Sequence, residues 1–158
     1  MKKFISKYLK DYTKLLDKTE EIADDLILLK NALDNVSKKR GKCIIVGNGG
    51  SAAISSHFSV DLTKNAKIRC INFNESDLIT CFANDYGYQN WVSKAVEFYG
   101  DNGDIFIGIS SSGNSKNIIN GCDAARERNF SKIITFSGMS KNNSLRKKGD
   151  INFWVDSK

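Results

Sequence analysis

From Gly41 onward, short apolar runs alternate with longer stretches whose apolar residues recur at a helical period. The apolar runs predict five strands, at residues 43–46, 68–73, 104–109, 131–136 and 151–155. The stretches between them predict five helices, at residues 51–64, 76–83, 88–99, 115–128 and 140–148. Repeated alternation of helices with apolar, β-branched strands is typical of a parallel sheet covered on both faces. The sequence therefore predicts an α/β fold with a doubly wound, five-stranded parallel sheet.

The first forty residues differ from the rest because they contain neither Gly nor Pro. Apolar residues recur at helical spacing throughout residues 5–36. Asp17 followed by Glu20 resembles a capping box, which favours the start of a second helix within residues 17–21. We expect an N-terminal helical hairpin that ends before Gly41 and carries more apolar surface than one small sheet can cover.

Two loops of small residues directly follow two of the predicted strands. They are Gly47-Asn48-Gly49-Gly50-Ser51 and Ser110-Ser111-Ser112-Gly113-Asn114-Ser115, and each leads into a predicted helix. Such a loop exposes hydroxyls and backbone N–H groups at the positive end of the helix dipole. Two such loops at strand ends indicate one anionic, hydroxyl-rich ligand held between them. The competing interpretation is a pair of ordinary Gly/Ser turns with no ligand.

The loops lack the patterns of nucleotide-binding sites. No Lys follows them in the G-x-x-x-x-G-K-[ST] arrangement of a triphosphate-binding loop. The G-x-G-x-x-G fingerprint of NAD and FAD sites is also missing from the sequence. We therefore expect no nucleotide cofactor.

At 158 residues, with 41% hydrophobic and 27% charged residues, the chain has the size and composition of one globular domain. We expect a single domain over residues 1–158, with helices at 1–40 and an α/β core at 41–158. No apolar run reaches the roughly 18–20 residues of a membrane span, and charged residues interrupt any signal-peptide core. These features predict a cytoplasmic protein that does not bind membranes.

The net charge of +6 is compatible with nucleic acid, anionic lipid or phosphorylated metabolites as partners. The basic residues cluster at residues 38–42 and 146–148, where the pattern predicts helix ends and where cations complement the helix dipole. Neither cluster is interleaved with the aromatic residues that stack on bases. We therefore interpret both clusters as solvated surface and expect no nucleic-acid partner.

The four cysteines are Cys43, Cys70, Cys81 and Cys122, and no two of them have C-x-x-C spacing. All lie inside apolar runs, which is typical of small buried hydrophobic residues in a reducing compartment. The spacing favours neither a disulfide framework nor a cysteine-based zinc site.

Four motifs together carry a family resemblance. In chain order they are Gly47-Asn48-Gly49-Gly50-Ser51-Ala52-Ala53, His57-Phe58, Ala83-Asn84-Asp85-Tyr86-Gly87-Tyr88 and Gly108-Ile109-Ser110-Ser111-Ser112-Gly113-Asn114-Ser115. By their order and spacing, the chain from about residue 20 to the end resembles SIS (sugar isomerase) domains and, among these, the phosphoheptose isomerases. The resemblance implies a flavodoxin-like SIS fold. It also implies an intramolecular oxidoreductase that converts sedoheptulose 7-phosphate into heptose 7-phosphate for lipopolysaccharide or capsule synthesis.

The resemblance also assigns substrate contacts. The residues it implies are Asn48, Gly49, Gly50, Ser51, Asn84, Asp85, Ser110, Ser111, Ser112 and Ser115. The serine-rich loop would hold the phosphate, and the Asn84-Asp85 pair would hydrogen-bond sugar hydroxyls. From the residues alone, Asn84-Asp85 is also compatible with an Asn/Asp turn that closes a helix.

His57 is the only histidine, and it stands four residues before Asp61 in a predicted helix, so both side chains share one face. A lone histidine is more often structural than functional. The resemblance implies that His57 and Asp61 are zinc ligands and that Asp61 is the catalytic base. The family has Glu where this chain has Asp61, and misplacement of a catalytic group by about 1 Å can cost about a hundredfold in rate.

In the relatives, a helix after the last strand supplies a Gln and a second His that complete the metal site. That helix is absent from the 158 residues of the sequence, so we expect an incomplete zinc site and interpret the chain as truncated. Residues 1–158 alone are then expected to bind zinc weakly and to isomerise little.

The N-terminal helices of the relatives pack between subunits, which implies a homo-oligomer, with a tetramer as the expected form. The expected partner is a phosphorylated sugar. The alternative function is a non-catalytic SIS-type protein that binds a sugar phosphate or a replication initiator as a regulator. The shorter Asp61 and the missing helix both favour that alternative.

Overall fold

A computed structural model describes residues 1–17 and 22–157 of the chain. The helices are α1 (Lys2–Leu16), α2 (Ala23–Lys38), α3 (Gly50–Lys64), α4 (Ser76–Tyr86), α5 (Trp91–Tyr99) and α6 (Lys116–Glu127), and the strands are β1 (Cys43–Gly47), β2 (Cys70–Ile71), β3 (Ile105–Ser110), β4 (Lys132–Ser137) and β5 (Ile151–Trp154). After residue 41, strands and helices alternate as the apolar pattern predicts. A short 3-10 helix, Leu145–Lys147, precedes the last strand.

The five strands form one parallel sheet in the order β2-β1-β3-β4-β5. This is the flavodoxin-like order, in which the direction of strand addition reverses between β1 and β3. The predicted α/β class and the doubly wound, five-stranded parallel sheet are confirmed. Ligands in such sheets bind at the carboxyl edge, next to the reversal point.

Each face of the sheet has its own hydrophobic core. Ile44, Val46 and Phe106 point to one face and pack with α5 and α6, and Cys43, Ile45 and Ile107 point to the other and pack with α2 and α3. Because successive residues of a strand alternate between faces, strands buried on both sides must be apolar throughout. All residues of β1 and β3 are buried accordingly.

A buried ion pair joins the starts of the two central strands. Asp104, which is 1% exposed and directly precedes β3, accepts hydrogen bonds from the backbone N–H of Lys42 at 2.9 Å and from that of Asp101 at 2.9 Å. The Lys42 ammonium lies 2.6 Å from the same carboxylate. Burial alone would lower the pKa of Lys42, but its bonds to Asp101 and Asp104 outweigh burial and raise that pKa. The pair holds β1 beside β3 at the edge opposite the loops.

Several predicted boundaries are wrong. The predicted helix at 140–148 is a series of turns with a 3-10 helix at its end, because Asn143 and Ser140 bond nearby backbone groups and so compete with helix formation. The predicted strand at 68–73 shortens to two residues. Its neighbour α4 runs to Tyr86, which places Asn84 and Asp85 inside a helix rather than in a turn.

The N-terminal region contains two helices, as predicted. No residue of α1 is buried, whereas α2 buries Leu29, Leu33 and Val36 against the sheet. The second helix begins at Ala23, later than the predicted start. Residues 18–21, which include Glu20 of the predicted capping box, lie outside the described residues. Of the helices in residues 1–17 and 22–157, none has the length and apolar character needed to cross a membrane.

The cysteines are free thiols, but they are not all buried as predicted. Cys43 and Cys122 are buried, Cys70 is half-buried and Cys81 is exposed on α4. Burial raises the pKa of Cys122 to about 12. Other residues of the apolar run around Cys81 face the core, whereas Cys81 lies on the exposed side of the helix. The apolar pattern therefore wrongly predicted that Cys81 is buried.

Replacing Asp104 with Asn tests the role of the buried ion pair. The amide cannot replace both acceptor oxygens, and it leaves the largely buried Lys42 ammonium without its inner partner. We expect Asp104→Asn to lower the free energy of unfolding by about 3–5 kcal/mol, measured by denaturant titration at one protein concentration. Asp101→Asn is the matched control, because Asp101 bonds the same ammonium at 2.6 Å but is 81% exposed. Equal losses for both variants would contradict this role.

Candidate functional site

The two small-residue loops meet at the carboxyl edge of the sheet. The first follows β1 and the second follows β3, and these strands are neighbours in register, with Gly47 opposite Ile109. The loops therefore lie at the reversal point of the strand order, where ligand sites of this sheet type are found. The sequence prediction that both loops lie together is confirmed by this geometry.

Close packing at Gly47 shapes the first loop. A Cβ at residue 47 would come within 2.6 Å of the backbone and side chain of Ser51. Only glycine lets the first turn of α3 approach the strand end this closely. Gly49, at φ +55°, caps the helix without a side-chain hydrogen bond. The start of α3 therefore places Ser51 at the strand edge, where the N–H groups of Ser51 and Ala52 donate to the carbonyls of Asn48 and Gly49.

The second loop wraps around the start of α6. Ser110 is 4% exposed, and its hydroxyl donates to the Ser115 hydroxyl at 3.0 Å. Ser115 caps α6 but makes no side-chain capping bond, so the first N–H groups of the helix lack an intrahelical acceptor. These N–H groups and the helix dipole favour an anion at this position.

A cavity of about 230 Å³ lies between the loops. It is lined by Asn48, Ser51, Ile109, Ser110, Ser111, Ser112, Ser115 and Met139. None of these eight described residues carries a charged or readily titrated side chain. The cavity is smaller than the roughly 300–1,000 Å³ of pockets that enclose whole ligands. It is suited to the anionic end of a ligand, bound by hydroxyls and N–H groups rather than by cations.

Sequence reasoning missed Asn143, which supports the second loop. Asn143 is 2% exposed, donates to the Ser137 hydroxyl at 3.0 Å and to the Ser140 carbonyl at 2.9 Å, and accepts from the Arg146 N–H at 2.9 Å. Its side chain fills the space beside Gly113, where a Cβ would come within 2.1 Å. Asn143 lies in the segment predicted to be helical, and no motif around it connects it with the loop.

Asn117 was also missed, and it pairs with Asn48 of the first loop. The two side-chain amides bond each other reciprocally, at 2.9 Å in both directions. The Tyr88 hydroxyl donates to the Asn48 Oδ1 at 3.2 Å. No signal in the sequence distinguishes Asn117 from an ordinary surface amide, and its burial is visible only in the fold. The amide of Asn48 is thus largely occupied by protein partners.

Asn84 and Asp85 lie outside the cavity. Both are exposed in the last turn of α4, where the Asn84 amide donates to the Asp85 carboxylate at 2.9 Å. The Cys81 thiol approaches the same carboxylate at 3.6 Å, and this charge raises the pKa of Cys81. The single chain does not bring this pair to the two loops, and the predicted contact of both residues with the ligand stays a prediction.

His57 and Asp61 are neighbours on the outer side of α3. The His57 Nε2 lies 3.4 Å from an Asp61 carboxylate oxygen, and their side chains are 82% and 49% exposed. The other Asp61 oxygen accepts from the Asn65 amide at 3.0 Å. Asp61 follows Ser51 by ten residues, which is about 15 Å of helix. The predicted base therefore lies well away from the cavity of its own chain.

The fit of this pair to zinc is poor when the two residues are taken alone. Zinc sites in proteins usually have three or four protein ligands. Within residues 1–17 and 22–157, no three His, Cys, Asp or Glu side chains are grouped to hold a metal. His57 and Asp61 have suitable donor atoms and spacing for two ligands, but by themselves they do not form a zinc site.

Comparisons with known proteins agree with the fold. Residues 7–138 match the SIS domain family. Over 113 residues the chain is 40% identical to the phosphoheptose isomerase of Fusobacterium nucleatum. The alignment covers 68% of this chain and 55% of that protein. Over 139 residues it is 36% identical to the phosphoheptose isomerase of Proteus mirabilis. This alignment covers 85% of the chain and 68% of the relative.

A solved structure gives the same result. The phosphoheptose isomerase from Neisseria gonorrhoeae superposes with a TM-score of 0.89 at 26% identity, covering 99% of this chain and 87% of that one. The chain spans about half the length of the Fusobacterium relative, 55%. The resemblance carried by the four motifs is confirmed. The chain belongs to the SIS domain family and, within it, to the phosphoheptose isomerases.

Proposed function

We propose that the protein is a sugar-phosphate aldose–ketose isomerase that converts sedoheptulose 7-phosphate into heptose 7-phosphate for lipopolysaccharide or capsule synthesis. The observation that carries the proposal is the cavity between the two loops at the reversal point of the sheet. Family membership supports the reaction type. A cytoplasmic location is part of the proposal, because free thiols suit a reducing compartment.

The serine loop supports binding of the phosphate end. Ser110, Ser111, Ser112 and Ser115 offer four hydroxyls next to the open N–H groups of α6. Hydrogen bonds from neutral donors to a charged oxygen are stronger than neutral pairs. The first loop then faces the sugar hydroxyls with Gly49, Gly50 and Ser51.

The proton shift needs a base near the carbon next to the carbonyl. In such a reaction the base removes that proton, donors stabilise the oxygen of the enediol, and the proton returns to the neighbouring carbon. We assign the base to Asp61, with His57 beside it at 3.4 Å. Zinc is a candidate cofactor for which these two side chains would be part of the ligand set.

Asp61 lies far from the cavity of its own chain, so the proposed base would need a neighbouring chain to complete the reacting site. Asp61 lies on a surface of α3 that also exposes the apolar side chains of Ile54 and Val60, at 58% and 54%. Covering this surface with a second copy would bury apolar area and enclose the base. We propose a homo-oligomer, with a tetramer as the expected form, in which a neighbouring chain completes the reacting site.

A second candidate function is a regulator that binds a sugar phosphate without converting it. The specific observation in its favour is that the cavity is lined by no titratable side chain among the described residues. A binding site needs only the hydroxyls and N–H groups that are present. Turnover of the substrate separates the two candidates.

Removal of two loop hydroxyls tests the binding site. Ser110→Ala combined with Ser112→Ala should weaken binding of sedoheptulose 7-phosphate by about a hundredfold or more, because each of the two lost hydrogen bonds to a charged group contributes about 1.5–3 kcal/mol. Calorimetric titration of the full-length protein measures the effect. Ser6→Ala on α1 is the control and should leave the affinity unchanged. Unchanged affinity in the double variant would place the ligand elsewhere.

Conversion of Asp61 to Asn tests the proposed base. The amide keeps the size of the side chain but cannot accept a proton, so turnover by the full-length protein should fall by about a hundredfold or more. Binding of the substrate should change little. Asp24→Asn, an exposed position on α2, is the control for the loss of one carboxylate. Full turnover in Asp61→Asn would exclude this base, and no turnover in the unmodified protein would favour the regulator.

The exposed face of α1 tests the oligomer. Phe4, Tyr8, Leu9 and Tyr12 are 55–70% exposed on this helix, and the opposite side of α1 carries lysines. Sedimentation should show an assembly larger than the 17.6 kDa chain, and Leu9→Glu should shift it to smaller species. Lys10→Glu changes the neighbouring position on the basic side and should not. A monomer in the unmodified protein would refute the proposal.

A further inference from the structure

Most hydrogen-bonding groups of the Asn48 side chain have protein partners, although the residue lines the cavity. Its Nδ2 donates to the Asn117 Oδ1, and its Oδ1 accepts from both the Asn117 Nδ2 and the Tyr88 hydroxyl. A carboxamide has two N–H donors and an oxygen with two lone pairs. Both lone pairs and one N–H are therefore used, and one N–H remains for a ligand.

Asn117 connects the first loop with the helix that follows the second loop. It is 2% exposed and lies two residues after Ser115, which caps α6 and accepts the Ser110 hydroxyl. One helix start thus carries the end of the phosphate loop and the partner of the sugar loop. Tyr88, between α4 and α5, adds a third segment to the same hydrogen-bond network.

The reciprocal pair fixes the orientation of each amide relative to the other. If the Asn48 amide alone rotates by half a turn, its oxygen faces the Asn117 oxygen and its Nδ2 faces the Asn117 Nδ2, so both hydrogen bonds of the pair are lost. Buried amide groups are strongly held in the orientation that satisfies them, because the local dielectric is low. The pair therefore ties the orientation of Asn48 to that of Asn117 and sets the distance of the first loop from α6.

We propose that Asn117 is a positioning residue of the sugar-phosphate site: it locks the Asn48 amide so that the first loop stands at a set distance from the phosphate loop. The inference rests on the proposed function, since it concerns the same ligand. The proposed role predicts different effects on the binding of the two ends of the ligand. Inorganic phosphate, which needs only the serine loop, does not depend on Asn117, whereas sedoheptulose 7-phosphate does.

Asn117→Asp tests this with a readout that depends on pH. The ionised carboxylate only accepts, so it faces the Asn48 oxygen without a proton, whereas the protonated carboxyl donates and accepts as the amide does. Burial raises the pKa of the introduced carboxyl toward the working range. The charged residues on α5 and α6 pair elsewhere (Lys94 with Glu97, Arg126 with Asp150, Asp123 with Lys148) or are exposed, as Lys116 is.

For the full-length protein we expect N117D to bind sedoheptulose 7-phosphate about five- to fiftyfold more weakly than wild type at about pH 8, and to approach wild type at about pH 5. Ratios to wild type at each pH remove the titration of the ligand phosphate. The affinity for inorganic phosphate should stay within about twofold at about pH 8. The control is N120D, one turn further along α6, where the Asn120 amide donates to the Gln89 carbonyl at 2.9 Å.

Two further measurements keep the result decisive. N117A removes the partner without adding charge, and it should weaken sugar-phosphate binding at both pH values. Hydrogen exchange of the Asn48 side-chain amide, followed by NMR without ligand, should be slow in wild type, fast in N117D at about pH 8 and slow again at about pH 5.

The outcomes separate the inference from the function it rests on. Wild-type binding with no difference in N117D, equal losses for phosphate and sugar phosphate, or the same pH response in N120D would overturn the role of Asn117. If wild type binds no sugar phosphate, the proposed function fails instead. In that case the amide exchange alone still decides whether Asn117 locks Asn48.

Discussion

The pairing of β1 with β3 determines where every other part of the site lies. The Lys42–Asp104 ion pair joins the two strands at one edge, and the register places Gly47 opposite Ile109 at the other. Both strands are buried on both faces, so a slip of one residue would exchange the two hydrophobic cores. Because the register is set in this way, the two loops and their helix starts converge on one point.

The chemistry of the converging loops is neutral. Hydroxyls and N–H groups line the cavity, and the dipoles of α3 and α6 point toward it, while the ion pairs of the described residues lie elsewhere. An anion bound in this way is held by oriented dipoles that need no counter-charge. The position of α6 therefore matters for affinity, and buried Asn117 ties that helix to the first loop.

The sequence predicted the sheet and the two loops because their signals are local. Short, mainly β-branched apolar runs such as 105–109 favour strands buried on both faces, and loops directly after parallel strands lie at the carboxyl edge of the sheet. The partners of the loops depend on tertiary contacts instead. Asn117 and Asn143 resemble ordinary surface amides in the sequence, and only the fold shows that both are 2% exposed.

The relation between Asp61 and the cavity could not be predicted from the sequence either. Helical spacing correctly placed His57 beside Asp61, since residues four apart share a face. It could not show that the exposed side of α3 directs this pair away from the chain's own loops. The predicted contacts of Asn84 and Asp85 with the ligand stay a prediction, because both residues are exposed on α4 outside the cavity.

We infer that one sugar phosphate spans the two loops through neutral donors, and a crystal structure of the full-length protein with sedoheptulose 7-phosphate would show its position. We expect the phosphate on the hydroxyls of Ser110–Ser115 and the N–H groups that start α6, with the sugar against residues 48–51. A phosphate bound instead at the basic cluster of residues 38–42, with the cavity empty, would contradict it.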